Sequence, residues 1–154
     1  TGAARRVWLE MRLLTDDALA TMVIWAEARG EPWEGKVGVA EVLLNRMRQD
    51  ARSLAQVVFA PWQFSWANTE TKWRWTVFTL DDDDPTVQEC QRAWTHAKAG
   101  SALAGGATAY LNVELTKQER HGTLPAWAAD PHDAHLLNTH LVTAQYGRHT
   151  FLKV

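Results

Sequence analysis

The stretch Trp25-Ala-Glu-Ala-Arg-Gly-Glu31 predicts the end of an apolar helix that carries a single carboxylate, Glu27, on its last turn. Thr15 is a good N-cap for this helix, because its hydroxyl can accept a backbone N–H of the first turn. Gly30 suits the position just after the helix. Between these two points apolar residues recur at helical spacing, namely Leu19, Met22, Val23 and Ala26.

Glu27 lies next to this apolar stripe, and that setting has a chemical consequence. A carboxyl group among apolar neighbours resists ionisation, so we expect its pKa to be raised. A protonated carboxylic acid is what cleavage of a glycosidic bond requires, since the leaving oxygen must be protonated. The alternative is a surface glutamate at a helix end, solvated or paired with Arg29 or Lys36.

The composition predicts one domain that contains no disulfide. The chain has 154 residues, a net charge of -2 and one cysteine, Cys90. A chain of this length can bury a core of its own, and its charge lacks the strong positive excess typical of nucleic-acid binding. No apolar run reaches the roughly 18 residues of a membrane span. We expect residues 1–14 to be a lead-in without a signal peptide, and residues 15–154 to form a single catalytic domain.

The remaining patterns predict an α+β fold, mainly helical with a small antiparallel sheet. A second helix that contains Gly35 and Gly38 should pack closely against a neighbour at these glycines, because each costs about 1 kcal/mol of helix propensity. Ser53 and Asp84 are N-caps of two further helices. The predicted elements are helices at 34–48, 53–59 and 84–99, a loop at 61–68, a mostly loop segment with a short helix at 114–140, a strand at 107–111, and a hairpin at 141–152.

A second carboxylate that could complete a two-carboxylate glycosidase site is not evident in the sequence. Glu31 follows the first helix and is expected to be solvated, and Glu41 could face either way on the second helix. One acid without a partner is compatible with attack by a hydroxyl of the substrate itself, the route of lytic transglycosylases.

Other clusters suggest alternatives of different classes. His132 and His135 fit a loose H-x-x-H pattern and would be the ligands of a zinc-dependent wall amidase. The nine tryptophans could instead form the platform of a non-catalytic glycan-binding module. The acidic run 81–84 lacks the glycine and distal glutamate of a calcium-binding loop, so we expect it to cap a helix. Cys90 is expected to be packed rather than nucleophilic.

Several segments together resemble the spore cortex-lytic, SleB-type cell-wall hydrolase family. The resemblance covers roughly residues 14–152, with agreement in order and spacing through the N-terminal half. The matching segments are Leu14-Thr-Asp-Asp17, Glu27-Ala-Arg-Gly-Glu-Pro32, Glu34-Gly35, Val39-Ala40, Val42-Leu-Leu-Asn-Arg46, Val57-Val-Phe59, Pro61, Gln63-Phe-Ser-Trp66, Ala109-Tyr-Leu-Asn112, Pro125-Ala-Trp127 and Gly147-Arg-His-Thr-Phe151.

The resemblance implies a lysozyme-like fold and a peptidoglycan glycosidase that cleaves the bond between N-acetylmuramic acid and N-acetylglucosamine. Glu27 matches the family's catalytic acid, which would donate a proton to the glycosidic oxygen and take one back from the attacking hydroxyl or water. The residues implied to bind substrate are Gln63, Ser65, Trp66, Tyr110, Asn112 and Trp127. We expect neither a metal nor a cofactor.

The biological context suggested by the resemblance is a phage endolysin. A catalytic segment without a peptidoglycan-binding repeat, leader or anchor is more typical of a lysin than of a secreted spore enzyme. We therefore expect a monomer that is made in the host cytoplasm and acts on glycan strands at the bacterial cell wall. No nucleic-acid partner and no insertion into a membrane are expected.

Overall fold

A computed structural model describes residues 15–60, 64 and 79–154 of the chain. The lead-in at 1–14 and the loop predicted at 61–68, apart from Phe64, lie outside the described residues. The elements are α1 (Asp16–Ala28), α2 (Trp33–Asp50), α3 (Leu54–Val58), α4 (Pro85–Lys98), β1 (Ala109–Leu111), α5 (Val113–Glu119), β2 (Ala129–Asp130), β3 (Asp133–Leu137), a 3-10 turn (Thr139–Leu141), β4 (Val142–Tyr146) and β5 (His149–Leu152).

Helix α1 is the centre of the helical layer and packs against α2, α3 and α4. It begins as predicted, with Thr15 Oγ1 accepting the N–H of Ala18. The sequence predicted one buried stripe on this helix, but the helix is buried on more than one side. Thr21 and Ile24, which lie outside the predicted stripe, are buried as well. A helix surrounded by three others has little surface left for solvent, so the periodic pattern underestimates its burial.

The end of α1 differs from the expectation that Gly30 would terminate it in a left-handed conformation. Gly30 has no positive φ, and the C-cap is Arg29 in the right-handed helical region. The Arg29 guanidinium donates to the carbonyl of Ala26 at 3.1 Å and lies 4.4 Å from the centre of the Trp25 ring. A cationic side chain therefore satisfies the last carbonyls, as the helix dipole favours.

Helix α2 confirms the predicted close packing at its glycines. A Cβ at Gly38 would lie 2.7 Å from Cε1 and 3.1 Å from Cε2 of the Phe151 ring. Phe151 belongs to β5 and is fully buried. The absence of a side chain at Gly38 therefore lets the sheet lie directly on α2.

Glu41, whose direction the sequence left open, points inward from α2 and fixes the segment before β1. Its carboxylate accepts the Ser101 hydroxyl at 2.7 Å and the backbone N–H groups of Leu103 and Ala104 at 2.9 Å each. Glu41 is 4% exposed. Three donors compensate the burial of this charge, so its role is structural.

Helix α4 confirms the capping interpretation of the acidic run. Asp84 Oδ1 accepts the N–H groups of Thr86 and Val87, and Pro85 occupies the first helical position. Cys90 is buried on the same helix, and burial raises the pKa of its thiol to about 12. A thiol that stays protonated at neutral pH is not a nucleophile, which agrees with the prediction of a packed cysteine.

The strands between residues 109 and 152 form two small antiparallel sheets, one of which the sequence did not predict. The first has the order β1-β5-β4, and its β4–β5 hairpin turns at Gly147 with φ +56, as the hairpin prediction requires. The second pairs β2 with β3, where the prediction was mostly loop. Strand β3 is almost fully exposed, so it shows no alternating apolar pattern by which it could be recognised.

The fold class is therefore α+β, mainly helical with small antiparallel sheets, as predicted. Within the described residues, two clusters of buried side chains hold it together: a large one centred on α1, α2 and Phe151, and a smaller one around Leu111, Leu124 and Leu152. Among the described helices, none has the length and apolar character needed to cross a membrane.

The Gly38–Phe151 contact leads to a first prediction. Gly38→Ala should lower the free energy of unfolding by roughly 1–3 kcal/mol, because the added methyl group overpacks a fully buried ring. Gly30→Ala is the matched control, since a Cβ there has nothing within 4 Å. Denaturant unfolding of both variants measures the difference, and equal stabilities would contradict the account of this contact.

Candidate functional site

A cleft of about 750 Å³ lies between the helical layer and the first sheet. One wall is formed by the ends of α1 and α2, and the other by β1, α5 and β5. Of the predicted site residues, Glu27, Tyr110, Asn112 and Trp127 all line it. The sequence places these four residues in three separate segments, so the fold is what brings them together.

Glu27 occupies the last turn of α1 and is half-buried in this cleft. Its surroundings are more polar than the expected apolar setting, because Arg46 from α2 and Tyr110 from β1 both act electrostatically on it and on each other. The Nε of Arg46 donates to the Thr108 carbonyl at 2.7 Å, which holds the guanidinium at the base of the sheet. Burial lowers the pKa of Arg46, while Tyr110 and Glu27 oppose that shift.

Tyr110 presents a buried hydroxyl to the same place. Burial is the main cause that raises the pKa of Tyr110 well above its usual range, and the charge of Glu27 and hydrogen bonding to it add to the shift. Yet the oxygen has no partner in good hydrogen-bond geometry among the described residues. The phenol is therefore neutral at neutral pH and lies close to Glu27.

Glu31 is not the solvated residue that the sequence suggested. It lines the cleft with Glu27 and is partly buried. Its Oε2 accepts the backbone N–H of Arg148 at 3.1 Å, across the β4–β5 turn. Because this contact joins residues 117 positions apart in the chain, local sequence could not reveal it.

His149 is a cleft residue that the sequence analysis did not single out. The ring is 7% exposed, lies 5.1 Å from the Tyr110 ring, and its Nδ1 is buried with no hydrogen-bond partner among the described residues. Burial lowers the pKa of His149, the nearby Glu31 carboxylate opposes this, and Arg148 adds to it. The imidazole is consequently neutral at neutral pH.

Asn112 and Trp127 differ in how free they are to bind a ligand. The Asn112 side-chain oxygen accepts the N–H of Leu115 at 3.0 Å and caps α5. The Asn112 side chain therefore stabilises the start of α5 in addition to lining the cleft. Trp127 is 44% exposed, and a large aromatic face open to the cleft is suited to packing on a sugar ring.

The other predicted site residues, Gln63, Ser65 and Trp66, lie outside the described residues. In the part of the chain that is described, no three His, Cys, Asp or Glu residues come together to hold a metal ion. His135 Nδ1 lies 3.1 Å from the Gly122 carbonyl. The geometry thus adds nothing to the zinc alternative based on His132 and His135.

Arg46 and His149, which both line the cleft, lie in segments that already matched the family in the sequence analysis. Arg46 closes the segment Val42–Arg46, and His149 lies within Gly147–Phe151. An arginine on a helix and a histidine in a strand carry no local signal of function, because both residue types are common on surfaces. Only the packing of α2 against the sheet makes them neighbours of the carboxylates.

The buried His149 gives a prediction for the pH dependence of stability. The unfolded pKa is near 6.5 and the folded pKa is lower, so below pH 6.5 the unfolded chain binds a proton that the folded protein does not. Stability contributed by this residue is present above pH 6.5 and is lost as the pH falls. Between pH 7.5 and 5, wild type should therefore lose more of its free energy of unfolding than His149→Gln. Parallel pH dependences in denaturant unfolding would contradict this.

Comparison with known proteins places these features in a family. The Cell Wall Hydrolase family matches residues 30–152, a range that begins just after Glu27. A spore cortex-lytic enzyme of Bacillus subtilis is 42% identical over 52 residues, which are 32% of this chain and 17% of that protein. A spore cortex-lytic enzyme of Halalkalibacterium halodurans is 32% identical over 101 residues, 64% of this chain and 28% of that protein. The chain thus matches less than a third of the length of either relative.

Two solved structures share the fold. The catalytic domain of the Bacillus cereus SleB protein superposes with a TM-score of 0.60 at 23% identity, covering 88% of this chain and 87% of that domain. The catalytic domain of the germination-specific lytic transglycosylase SleB from Bacillus anthracis gives 0.61 at 22% identity, covering 87% and 90%. The lysozyme-like, mainly helical α+β architecture is therefore that of the SleB catalytic domain. Because the family match covers most of this chain, the chain belongs to the SleB-type Cell Wall Hydrolase family.

Proposed function

We propose that this protein is a peptidoglycan glycosidase that cleaves the β-1,4 bond between N-acetylmuramic acid and N-acetylglucosamine, with Glu27 as the proton donor. The observation that carries the proposal is the position of Glu27 in the cleft, beside the Arg46 guanidinium and the Tyr110 hydroxyl. Membership of the Cell Wall Hydrolase family supports peptidoglycan as the substrate. The name of the Bacillus anthracis neighbour supports lytic transglycosylation as the reaction.

The reaction begins with proton transfer from the Glu27 carboxyl to the glycosidic oxygen. As the bond to the leaving sugar breaks, positive charge develops at the anomeric carbon of the muramic residue. Attack by its own C6 hydroxyl leaves a 1,6-anhydro end, and attack by water leaves a reducing end; in both cases the attacking oxygen gives its proton back to the Glu27 carboxylate. In either case Glu27 becomes a carboxylate, and the Arg46 charge stabilises that anion.

Tyr110 and Trp127 have complementary roles in this proposal. The Tyr110 hydroxyl is neutral and interacts with Glu27, so it can hold the Glu27 carboxyl in place against the glycosidic oxygen. Trp127 offers an exposed apolar face in the same cleft. A glycan strand has apolar ring faces, which this side chain matches.

Glu27→Gln tests the assignment of the acid. The amide keeps the shape but cannot donate the proton, so the rate of peptidoglycan clearance should fall by about 100-fold or more. Glu34→Gln is the matched control, because Glu34 is exposed in the first turn of α2 and is not part of the cleft. Clearance by Glu27→Gln near the wild-type rate would show that Glu27 is not the acid.

Trp127→Ala tests the binding role of the exposed aromatic. Loss of the indole face should raise KM for soluble glycan strands roughly 10-fold and change kcat little, because the lost contact exists before the chemical step. Leu136→Ala is the control, since Leu136 is 55% exposed on β3 and does not line the cleft. An unchanged KM for Trp127→Ala would remove Trp127 from the binding surface.

The alternatives from sequence make different predictions. A non-catalytic glycan-binding module would bind sacculi without releasing soluble fragments. A zinc amidase using His132 and His135 would be inactivated by chelation and would leave the glycan strands intact.

The endolysin role, the cytoplasmic synthesis and the monomeric state stay predictions. Expression of the chain in a bacterial host, followed by permeabilisation of the inner membrane, tests the lysis role. Lysis only after permeabilisation would support it, and intact cells would contradict it.

A further inference from the structure

The cleft continues past the Glu27 carboxyl to the carboxyl-terminal end of α2. Its lining there includes Gln49 and Asp50 from the last turn of the helix and Arg52 just beyond it. Arg46 and Asp50 are four residues apart, so they lie on the same face of the helix, about 6 Å apart along its axis. The charge of Asp50, like that of Glu27, acts to raise the pKa of Arg46 against the effect of burial. One face of α2 therefore leads from the proposed reaction centre into a further part of the cleft.

The backbone at the end of α2 turns in a way that keeps Arg52 in this cleft. Ala51, the C-cap, has φ +51 and ψ +46, a left-handed conformation that glycine usually adopts at this position. The N–H groups of Ala51 and Arg52 both donate to the Met47 carbonyl, which stabilises the turn. On a continued helix, residue 52 would lie about 200° around the axis from Asp50 and would point away from this face. The turn therefore brings two opposite charges to one cleft.

Asp50 and Arg52 are available to a ligand. Both residues are exposed, and within the described residues neither side chain takes part in a hydrogen bond or an ion pair. Arg46, by contrast, donates to the Thr108 carbonyl. A guanidinium without a partner can bind a ligand carboxylate through two parallel hydrogen bonds, and a carboxylate without a partner can bind an ammonium group.

The facing wall of the cleft adds apolar surface to these charges. Its α5 part contributes Leu115 and Thr116, and Leu115 is 48% exposed. A bound ligand can cover this leucine. The cleft thus offers a cation, an anion and an apolar side chain in addition to the groups around Glu27. A neutral sugar unit has no charge to pair with the first two, whereas a short peptide has groups for all three.

We propose that Asp50 and Arg52 bind the peptide stem that a muramic residue carries on its lactyl group, and that they make the protein selective for stem-bearing strands. The inference rests on the proposed glycosidase function. The stem has free carboxylates and, on its diamino acid, a free amino group. Arg52 pairs with a stem carboxylate and Asp50 with the stem ammonium. Because the stem is attached to the sugar whose bond Glu27 cleaves, it can extend along α2 while the glycan contacts Trp127.

A comparison of two substrates tests the role of Arg52. The ratio of kcat/KM on stem-bearing strands to kcat/KM on strands stripped of stems by an amidase measures the contribution of the stem. Wild type should prefer stem-bearing strands about 10-fold, and Arg52→Gln should reduce this preference to about twofold, because an exposed ion pair adds modest binding free energy. A ratio for Arg52→Gln equal to that of wild type would overturn the proposal.

Arg92→Gln is the matched control for this experiment. Arg92 is exposed on α4 and does not line the cleft, so this variant makes the same chemical change away from the site. Its ratio should equal that of wild type. A ratio lowered as much as in Arg52→Gln would show that the total charge of the protein, rather than a stem site, sets the preference, and would overturn the proposal.

Chemical modification of the stem tests the same contacts from the side of the substrate. Amidation of the stem carboxylates should lower kcat/KM of wild type about fivefold and should affect Arg52→Gln much less, since the partner is already missing there. N-acetylation of the stem amino group should act in the same way through Asp50, with Asp50→Asn as the insensitive variant. Equal losses on amidation in wild type and Arg52→Gln would show that Arg52 does not contact the stem.

The proposed function and the stem site fail in distinguishable ways. If wild type releases no glycan fragments from either kind of strand, the proposed function fails. If wild type cleaves both kinds equally well, the glycosidase function stands and the stem site fails. If Arg52→Gln loses activity equally on both kinds, Arg52 contacts the sugar or the lactyl carboxylate that stripping exposes, and recognition of the stem is overturned.

Discussion

The close contact between Gly38 of α2 and the Phe151 ring of β5 is the constraint on which the cleft depends. Since a side chain at Gly38 would overlap the ring, the sheet can approach the helical layer only because this position is a glycine. That approach brings Tyr110 and His149, which lie on β1 and β5, next to Glu27 at the end of α1. This wall of the cleft is thus a product of helix–sheet packing, and a shift of the sheet would separate Glu27 and Glu31 from the groups that surround them.

Polar contacts maintain this geometry around the cleft. Glu41 accepts three hydrogen bonds from the segment that leads to β1, and Arg46 donates to the Thr108 carbonyl at the start of the same strand. On the opposite side, Glu31 is tied to the β4–β5 turn. Each of these contacts ties a charged side chain of residues 31–46 to the sheet or to the segments next to its strands. The charges near the site therefore position its backbone as well as tune its chemistry.

The sequence predicted those features that depend on local chemistry. Thr15, Ser53 and Asp84 each cap the helix expected of them, because a cap is decided within three residues. The position of Glu27 on the last turn of α1 followed in the same way. Strand β3 was missed because it is exposed, and the positions of Glu31 and His149 in the cleft were missed because their neighbours are distant in the chain. Sequence patterns could not show that Glu27 faces Arg46 and Tyr110 rather than apolar side chains.

The central claim is that the cleft cleaves the glycan strand of peptidoglycan. Mass spectrometry of the soluble products that the wild-type protein releases from purified sacculi tests it most directly. The account predicts fragments that contain intact disaccharides and end in a muramic residue, either as the anhydro form, one water lighter, or as the reducing form. Peptides without sugar, or the absence of soluble fragments from sacculi that bind the protein, would contradict it.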